Sequence, residues 1–150
     1  MIEIKQCRLS EVTQIPQFET LVEEYADEAA IEGLPRPCYN KHIYKTLEQS
    51  GMMHPLCSFN ENELSGFINI LVNVIPHYGN KIATSESFFV RPKFRKGGTG
   101  LKLIEAAEQL AKQQGAIGCL ISAPADSRLD VVLSRSSYTH SNNVYFKSLL

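Results

Sequence analysis

The chain has 150 residues, of which 43% are hydrophobic and 21% charged; that is one domain's length with ordinary globular composition, and it excludes a disordered, collagen-like or coiled-coil chain. At this size roughly 68–70% of the unfolded surface is buried, so no disulfide or metal staple is needed. Fifteen bases against sixteen acids leave a net charge of −1, which argues against the uniform positive field of a nucleic-acid binder.

Ile2 to Cys7 alternates apolar and polar residues, as a half-buried strand does, and lacks the apolar run of a secretory signal. Ser10 can cap the helical stretch after it. Val12, Ile15, Phe18, Leu21, Val22, Tyr25 and Ala29 recur at helical spacing, with Pro16 at a helix start or a kink. Gly33, Pro35 and Pro37 end that element, and Asn40 to Gln49 predicts a second short helix closed by Gly51. Met52 to Phe59 reads as a strand, Asn60 to Glu63 as a turn and Leu64 to Ile75 as a long buried strand. The most apolar stretch, Phe67 to Ile75, contains Asn69 and Asn73 and falls far short of the ~18 apolar residues of a membrane span. Pro76 to Asn80 breaks it, and Ile82 to Val90 is the next strand. A basic loop with Gly97, Gly98 and Gly100 then leads into a helix whose apolar stripe is Leu101, Leu103, Ile104, Ala107, Leu110 and Ala111; Gly115 stops it. Gly118 to Ser122 is a short strand, Asp126 or Ser127 can cap a helix through Leu133, and Ser136 to Leu149 reads as two strands around Ser141-Asn142-Asn143. This order predicts a single α/β domain, residues 1–150, with a mixed sheet.

The four cysteines, Cys7, Cys38, Cys57 and Cys119, are too scattered for a disulfide scaffold and read as reduced thiols of a cytoplasmic protein. Cys38 with His42 and His54 with Cys57 match a zinc site by count, but they flank regular elements rather than a tight knuckle, so no metal is expected. Charge is segregated along the chain. Glu11 to Leu34 holds seven acids and no Lys or Arg, whereas Arg91 to Lys102 holds five bases and no acid. Either run can be a solvated face, and together they also suit one anionic and one cationic ligand.

The unit from Phe88 to Gln114 carries the strongest chemical signal. Glycines gather where a strand feeds a helix, the helix start offers free N–H groups and a positive dipole end, and Arg95 and Lys96 add full charges. Such a site suits a phosphate or pyrophosphate. The P-loop pattern fails, because Gly100 is followed by Leu101-Lys102-Leu103, and the G-x-G-x-x-G dinucleotide fingerprint fails as well. Arg95-Lys96-Gly97-Gly98-Thr99-Gly100 instead resembles the acetyl-CoA loop of the GNAT superfamily of N-acetyltransferases, (Arg/Gln)-x-x-Gly-x-(Gly/Ala). The approach from Glu86 through Val90-Arg91-Pro92-Lys93-Phe94 is similar to that family's fourth strand and its link.

The resemblance implies a GNAT-type α/β fold: a mixed, mostly antiparallel twisted sheet flanked by helices, with a splay between strands four and five. It implies acetyl-CoA as co-substrate and transfer of the acetyl group to a primary amine in a ternary complex. Backbone amides from Lys96 to Leu101 (Lys96, Gly97, Gly98, Thr99, Gly100, Leu101), with Arg95, would hold the diphosphate. The Phe88, Phe89 and Val90 backbone would pair with the pantetheine arm, and Asp126 stands where an Asn often contacts it. A homodimer is left open.

Acetyl transfer needs a neutral amine; a lysine-like amine of pKa ~10.4 costs about 4.6 kcal/mol to deprotonate at pH 7. Glu86, the only acid between Glu63 and Glu105, is the candidate general base. Four residues before Val90 on one strand, it is expected on the face that Val90 occupies. For protonating the departing thiolate the family often uses a Tyr; Leu133 stands there, leaving water, Ser134 or Tyr138. The first helices of this fold usually wall the acceptor site, so Glu23, Glu24, Asp27 or Glu28 is expected to attract a cationic acceptor such as a polyamine, an aminoglycoside-like amine or a basic peptide.

Overall fold

The computed structural model describes all residues from 1 to 150. The alternating segment at the start forms β1 (Ile2–Gln6), and the apolar middle forms β2 (Met53–Asn60), β3 (Glu63–Ile75) and β4 (Asn80–Val90). The β2–β3 turn has positive φ at both central residues, Glu61 (49°) and Asn62 (67°), as a two-residue hairpin requires. The strands pair antiparallel in sequential order; β5 (Cys119–Leu120) then adds parallel to β4.

Pro16 divides the first helical region into α1 (Leu9–Val12) and α2 (Phe18–Ala29), followed by α3 (Lys41–Gln49). Ser10 lies inside α1 and does not cap it. Instead the Glu11 carboxylate accepts the Arg8 amide (3.2 Å) and Glu48 on α3 accepts the Leu9 amide (2.9 Å). The glycine-rich loop opens α4 (Thr99–Gln113), and Ser127 caps α5 (Arg128–Ser134) by accepting the Asp130 amide at 3.1 Å.

The sheet separates two apolar layers. On one face Leu103, Ala107, Leu110 and Ala111 of α4 pack on Ile68, Ile70, Val72, Ala83 and Val90. On the other, Val12 and Leu21 meet Cys57, Leu64 and Phe89. Leu103 and Ile68 are fully buried, each worth about 1.5–3 kcal/mol relative to exposure. The two strands expected over Ser136–Leu149 do not form; that segment has no regular structure. A strand needs a partner edge, and the two-residue β5 offers almost none. The segment instead docks at separate points: the Tyr138 hydroxyl donates to Glu108 on α4 (3.0 Å), and the Phe146 ring fills the space beside Gly33, where an added Cβ would come within 3.2 Å of it.

Candidate acyl-transfer site

Glu86 sits in a β-bulge. On β3, Asn69 pairs with Ser87 and the next residue, Ile70, pairs with Ser85, so Glu86 is the unpaired extra residue of β4. A bulge shifts the two-residue alternation by one and re-aims the side chain. Val90 faces α4 with Ile68, whereas Glu86 turns to the opposite face, which corrects the expectation that the two share one. There its carboxylate collects donors: the Tyr44 hydroxyl to Oε1 at 2.8 Å, and the Ser87 hydroxyl to Oε2 at 2.6 Å. The Asn69 amide stands at 3.5 Å from Oε2 and donates at 3.1 Å to Ser87 Oγ. Burial, and then the Glu86 charge, push the Tyr44 and Tyr25 phenols above their usual range. Tyr39 stacks on Tyr44 (centroids 5.6 Å apart), and Tyr25 lies edge-on to Phe67 and Phe89. The carboxylate is thus exposed yet held in one orientation on an aromatic floor. Periodicity marks Tyr25 as an apolar-face residue and gives Tyr44 no special standing; nothing local in sequence links α3 to a bulge 42 residues away.

Beyond that bulge β4 loses its second neighbour. β5 pairs only through Ala83–Cys119 and Thr84–Leu120. At the next level the Ser122 amide donates to the Ser85 side chain (2.9 Å) rather than to backbone, and no strand covers Glu86 to Val90 on that edge. On its other side the strand lies close against β3. A Cβ added at Gly66 on β3 would lie 2.6 Å from the Phe89 carbonyl oxygen, so β3 and β4 close up only because residue 66 has no side chain.

The loop after β4 presents six consecutive amides, Lys96 to Leu101, that donate to no group of the protein; the first engaged amide is Lys102, to the Gly98 carbonyl at 3.0 Å. Gly98 precedes the helix in the left-handed region (φ 83°) with open space where a Cβ would stand. Gly100 packs against Phe88 and Val90, and an added Cβ would lie 3.6 Å from the Phe88 ring. Thr99 is buried, its hydroxyl turned toward Asn60 (3.4 Å). Lys96 is exposed and Leu101 projects from the first turn of α4. Free N–H groups at the positive end of a 15-residue helix make this loop a candidate anion cradle.

Three arginines pair with four of the seven acids of the acidic run. Arg91, 8% exposed, binds Glu24 (3.0 Å) and Glu63 (2.9 Å); these partners, Glu24 first, raise its already high pKa. Arg95 donates to the Val90 carbonyl (2.8 Å) and to Glu28 (2.7 Å), and Arg36 bridges Glu23 (2.9 Å) and Asp27 (2.7 Å). Glu24 and Glu28 therefore fasten α2 to the β4–α4 link, while Glu23 and Asp27 are held by Arg36 at the exposed rim. Arg95 stays beside the cradle through its backbone, whose carbonyl accepts from Arg128 at 3.2 Å. Asp126 is exposed just ahead of α5, with positive φ (60°) and its amide donating to Asp130. Of the two candidate hydroxyls for the leaving thiolate, Ser134 donates to the Val131 carbonyl (2.8 Å) and Tyr138 to Glu108. Burial, with Cys119 and Glu108 close by, raises the Tyr138 phenol well above its usual range.

A family model described as the acetyltransferase (GNAT) family matches residues 17–128. No protein of curated function matches the chain significantly. Among solved structures, an aminoglycoside acetyltransferase from an uncultured soil metagenomic sample aligns over 99% of this chain and 96% of its own, with TM-score 0.74 and 20% identity. A ribosomal-protein-alanine N-acetyltransferase from Brucella melitensis biovar Abortus 2308 aligns over 98% and 97%, with TM-score 0.72 and 18% identity. AAC(6')-Iy, in complex with the bisubstrate analog CoA-S-monomethyl-acetylneamine, aligns over 98% and 97%, with TM-score 0.73 and 16% identity. At these identities the likeness is one of fold.

Proposed function

The chain belongs to the acetyltransferase (GNAT) family, and on that premise we propose that it is an acetyl-CoA-dependent N-acetyltransferase acting on a primary amine. The observation that carries this reading is the run of six unengaged amides from Lys96 to Leu101, next to an uncovered strand edge that ends at an oriented carboxylate. The site fits the co-substrate by its own chemistry. The amides and the exposed Lys96 suit a diphosphate. The edge from Phe88 to Val90 suits an amide-bearing chain that pairs as a strand would, and exposed Asp126 is a further polar partner for that chain. Bound there, acetyl-CoA supplies the activated acyl group.

Glu86 accepts the amine proton, directly or through a water. Tyr44 and Ser87 fix the direction of its carboxylate. With the Ser134 and Tyr138 hydroxyls engaged elsewhere, water is the proton source for the departing thiolate. A thiol of pKa ~8.5 leaves at a cost of only about 2 kcal/mol relative to one of pKa 7. The acceptor is an amine of polyamine, aminoglycoside or basic-peptide type. Asp27 and Glu23 can reach it at the exposed rim of α2 where it displaces Arg36; Glu24 is held by Arg91. The scattered reduced thiols and the acetyl-CoA requirement suit the cytoplasm, and no helix is long and apolar enough to cross a membrane.

Thiol release on a panel of amines, run beside calorimetry with acetyl-CoA, tests the proposal. Binding with release on at least one amine supports it, and absence of coenzyme binding overturns it. Binding without release on any amine supports a second reading, a coenzyme-binding protein without turnover. That reading is favoured by Leu133 at the expected Tyr position and by the two engaged hydroxyls.

A further inference from the structure

A cleft of about 820 Å³ lies away from the splay, between the ends of β1 and β2, α1 and α3; Cys7, Arg8, Glu11, Glu48 and His54 line it. One thiol, Cys7, lines it, and a second, Cys57, lies buried in the neighbouring apolar cluster. Lys5 pairs with Cys57 across β1 and β2, and the Cys7 amide donates to the Pro55 carbonyl at 3.3 Å. Alternation therefore puts Lys5, Cys7 and Cys57 on one face, and Cys7 packs against the apolar cluster that contains Cys57. Cys57 is 2% exposed, while Cys7 is half-buried at the cleft. Diagonal neighbours on one sheet face lie about 7–8 Å apart at Cα, slightly beyond the ~4.4–6.8 Å that a disulfide spans. Cys7 is the first residue after β1, where the backbone can yield the difference.

The charges around the pair favour ionisation of one sulfur only. A hydrogen bond from Cys57 holds the Cys7 thiol down to about 7, helped by Lys5 and opposed by burial and Glu11. The same hydrogen bond, and then burial, push Cys57 up. Of the other groups at the cleft, burial disfavours the charged form of His54, Glu48 is engaged by the Leu9 amide, and Arg8 adds a positive charge.

We propose that Cys7 and Cys57 form a hydroperoxide-sensitive thiol pair, with Cys7 the attacking sulfur and buried Cys57 the resolving one. The Cys7 thiolate attacks one oxygen of hydrogen peroxide, the O–O bond breaks, and hydroxide leaves to be protonated to water, giving a sulfenic acid. The Cys57 sulfur then attacks Cys7, the S–O bond breaks, and a second water departs with the Cys57 proton. Two sulfurs lose two electrons, one peroxide becomes two waters, and β1 is bolted to β2. Cys38 and Cys119 serve as internal controls.

Equimolar peroxide on the reduced full-length protein, followed by alkylation and peptide mass mapping, is the test. The expected product is a Cys7–Cys57 disulfide, reversed by dithiothreitol, with Cys38 and Cys119 still alkylated. The pH midpoint of Cys7 alkylation lies near 7 and moves toward the ~8.5 of a free thiol in Cys57→Ala. That variant accumulates a dimedone adduct on Cys7. Should Cys57→Ala fail to fold, Cys7→Ser decides: Cys57 must then survive peroxide unmodified. Oxidation of Cys38 or Cys119 with the pair intact, or a Cys7 midpoint at ~8.5 in the unmodified protein, overturns the proposal.

Discussion

Glu86 depends on its neighbours for direction. On the proposed mechanism its replacement by Gln removes the proton acceptor but keeps the shape, so kcat is expected to fall about 10²–10⁴-fold with the acetyl-CoA Kd unchanged by calorimetry. On the same mechanism Tyr44, which donates to Glu86, is a positioning residue. A hydrogen bond to a charged group is worth about 1.5–3 kcal/mol, so Tyr44→Phe is expected to lower kcat about tenfold or more while the coenzyme Kd and the amine KM stay put. A purely structural role would move all three. Arg36 is the opposite case. It is about half exposed and holds Glu23 and Asp27, so solvent screens the pairs and Arg36→Ala leaves stability nearly unchanged. If the α2 rim receives a polycation, that variant lowers KM for a polyamine substrate; an unchanged KM removes the rim from the acceptor site.

At the level of elements, the β4–loop–α4 unit separates two kinds of glycine. Gly98 holds a left-handed φ with free space around it, so Gly98→Ala costs about 1 kcal/mol of backbone strain, and Gly98→Glu additionally places an anion where the diphosphate would sit. Coenzyme affinity should drop sharply in Gly98→Glu with the fold retained. Gly66 is a matter of close approach: a Cβ there collides with the Phe89 carbonyl, so Gly66→Ala must displace β4. A loss of more than about 2 kcal/mol in denaturant unfolding, together with weakened coenzyme binding, is expected. The sequence marks the loop glycines because three occur within four residues ahead of a helical stripe. It gives no such signal for Gly66, which sits inside an apolar run and acquires its meaning from the strand opposite.

Across the whole molecule, Arg91 ties α2, β3 and the β4–α4 link together. Its partners are each about one-third exposed, so loss of the clamp in Arg91→Ala is expected to cost about 2 kcal/mol, less than a fully buried pair. Stability also has pH limits with definite signs. Tyr25, Tyr44 and Tyr138 have raised folded pKa values; their contribution is complete below the unfolded value near ~10 and is lost as pH rises beyond it. Glu63 is held below its usual range, first by Lys93 and then by Arg91, and its contribution is lost as pH falls below ~4.3. Thermal unfolding across pH should show both limbs, with the alkaline one flattened in Tyr44→Phe. Periodicity and glycine spacing by themselves determined the first four strands, the main helices and the glycine-rich loop ahead of α4, because those features are set by residues a few positions apart. Three matters were decided only in the folded chain: which face Glu86 addresses, what pairs with the acids of α2, and whether the last fifteen residues find a strand to join. Each turns on a partner distant in sequence, a bulge against β3, an arginine 67 residues from its carboxylate, and an edge strand two residues long, and such pairings leave no periodic trace along the chain.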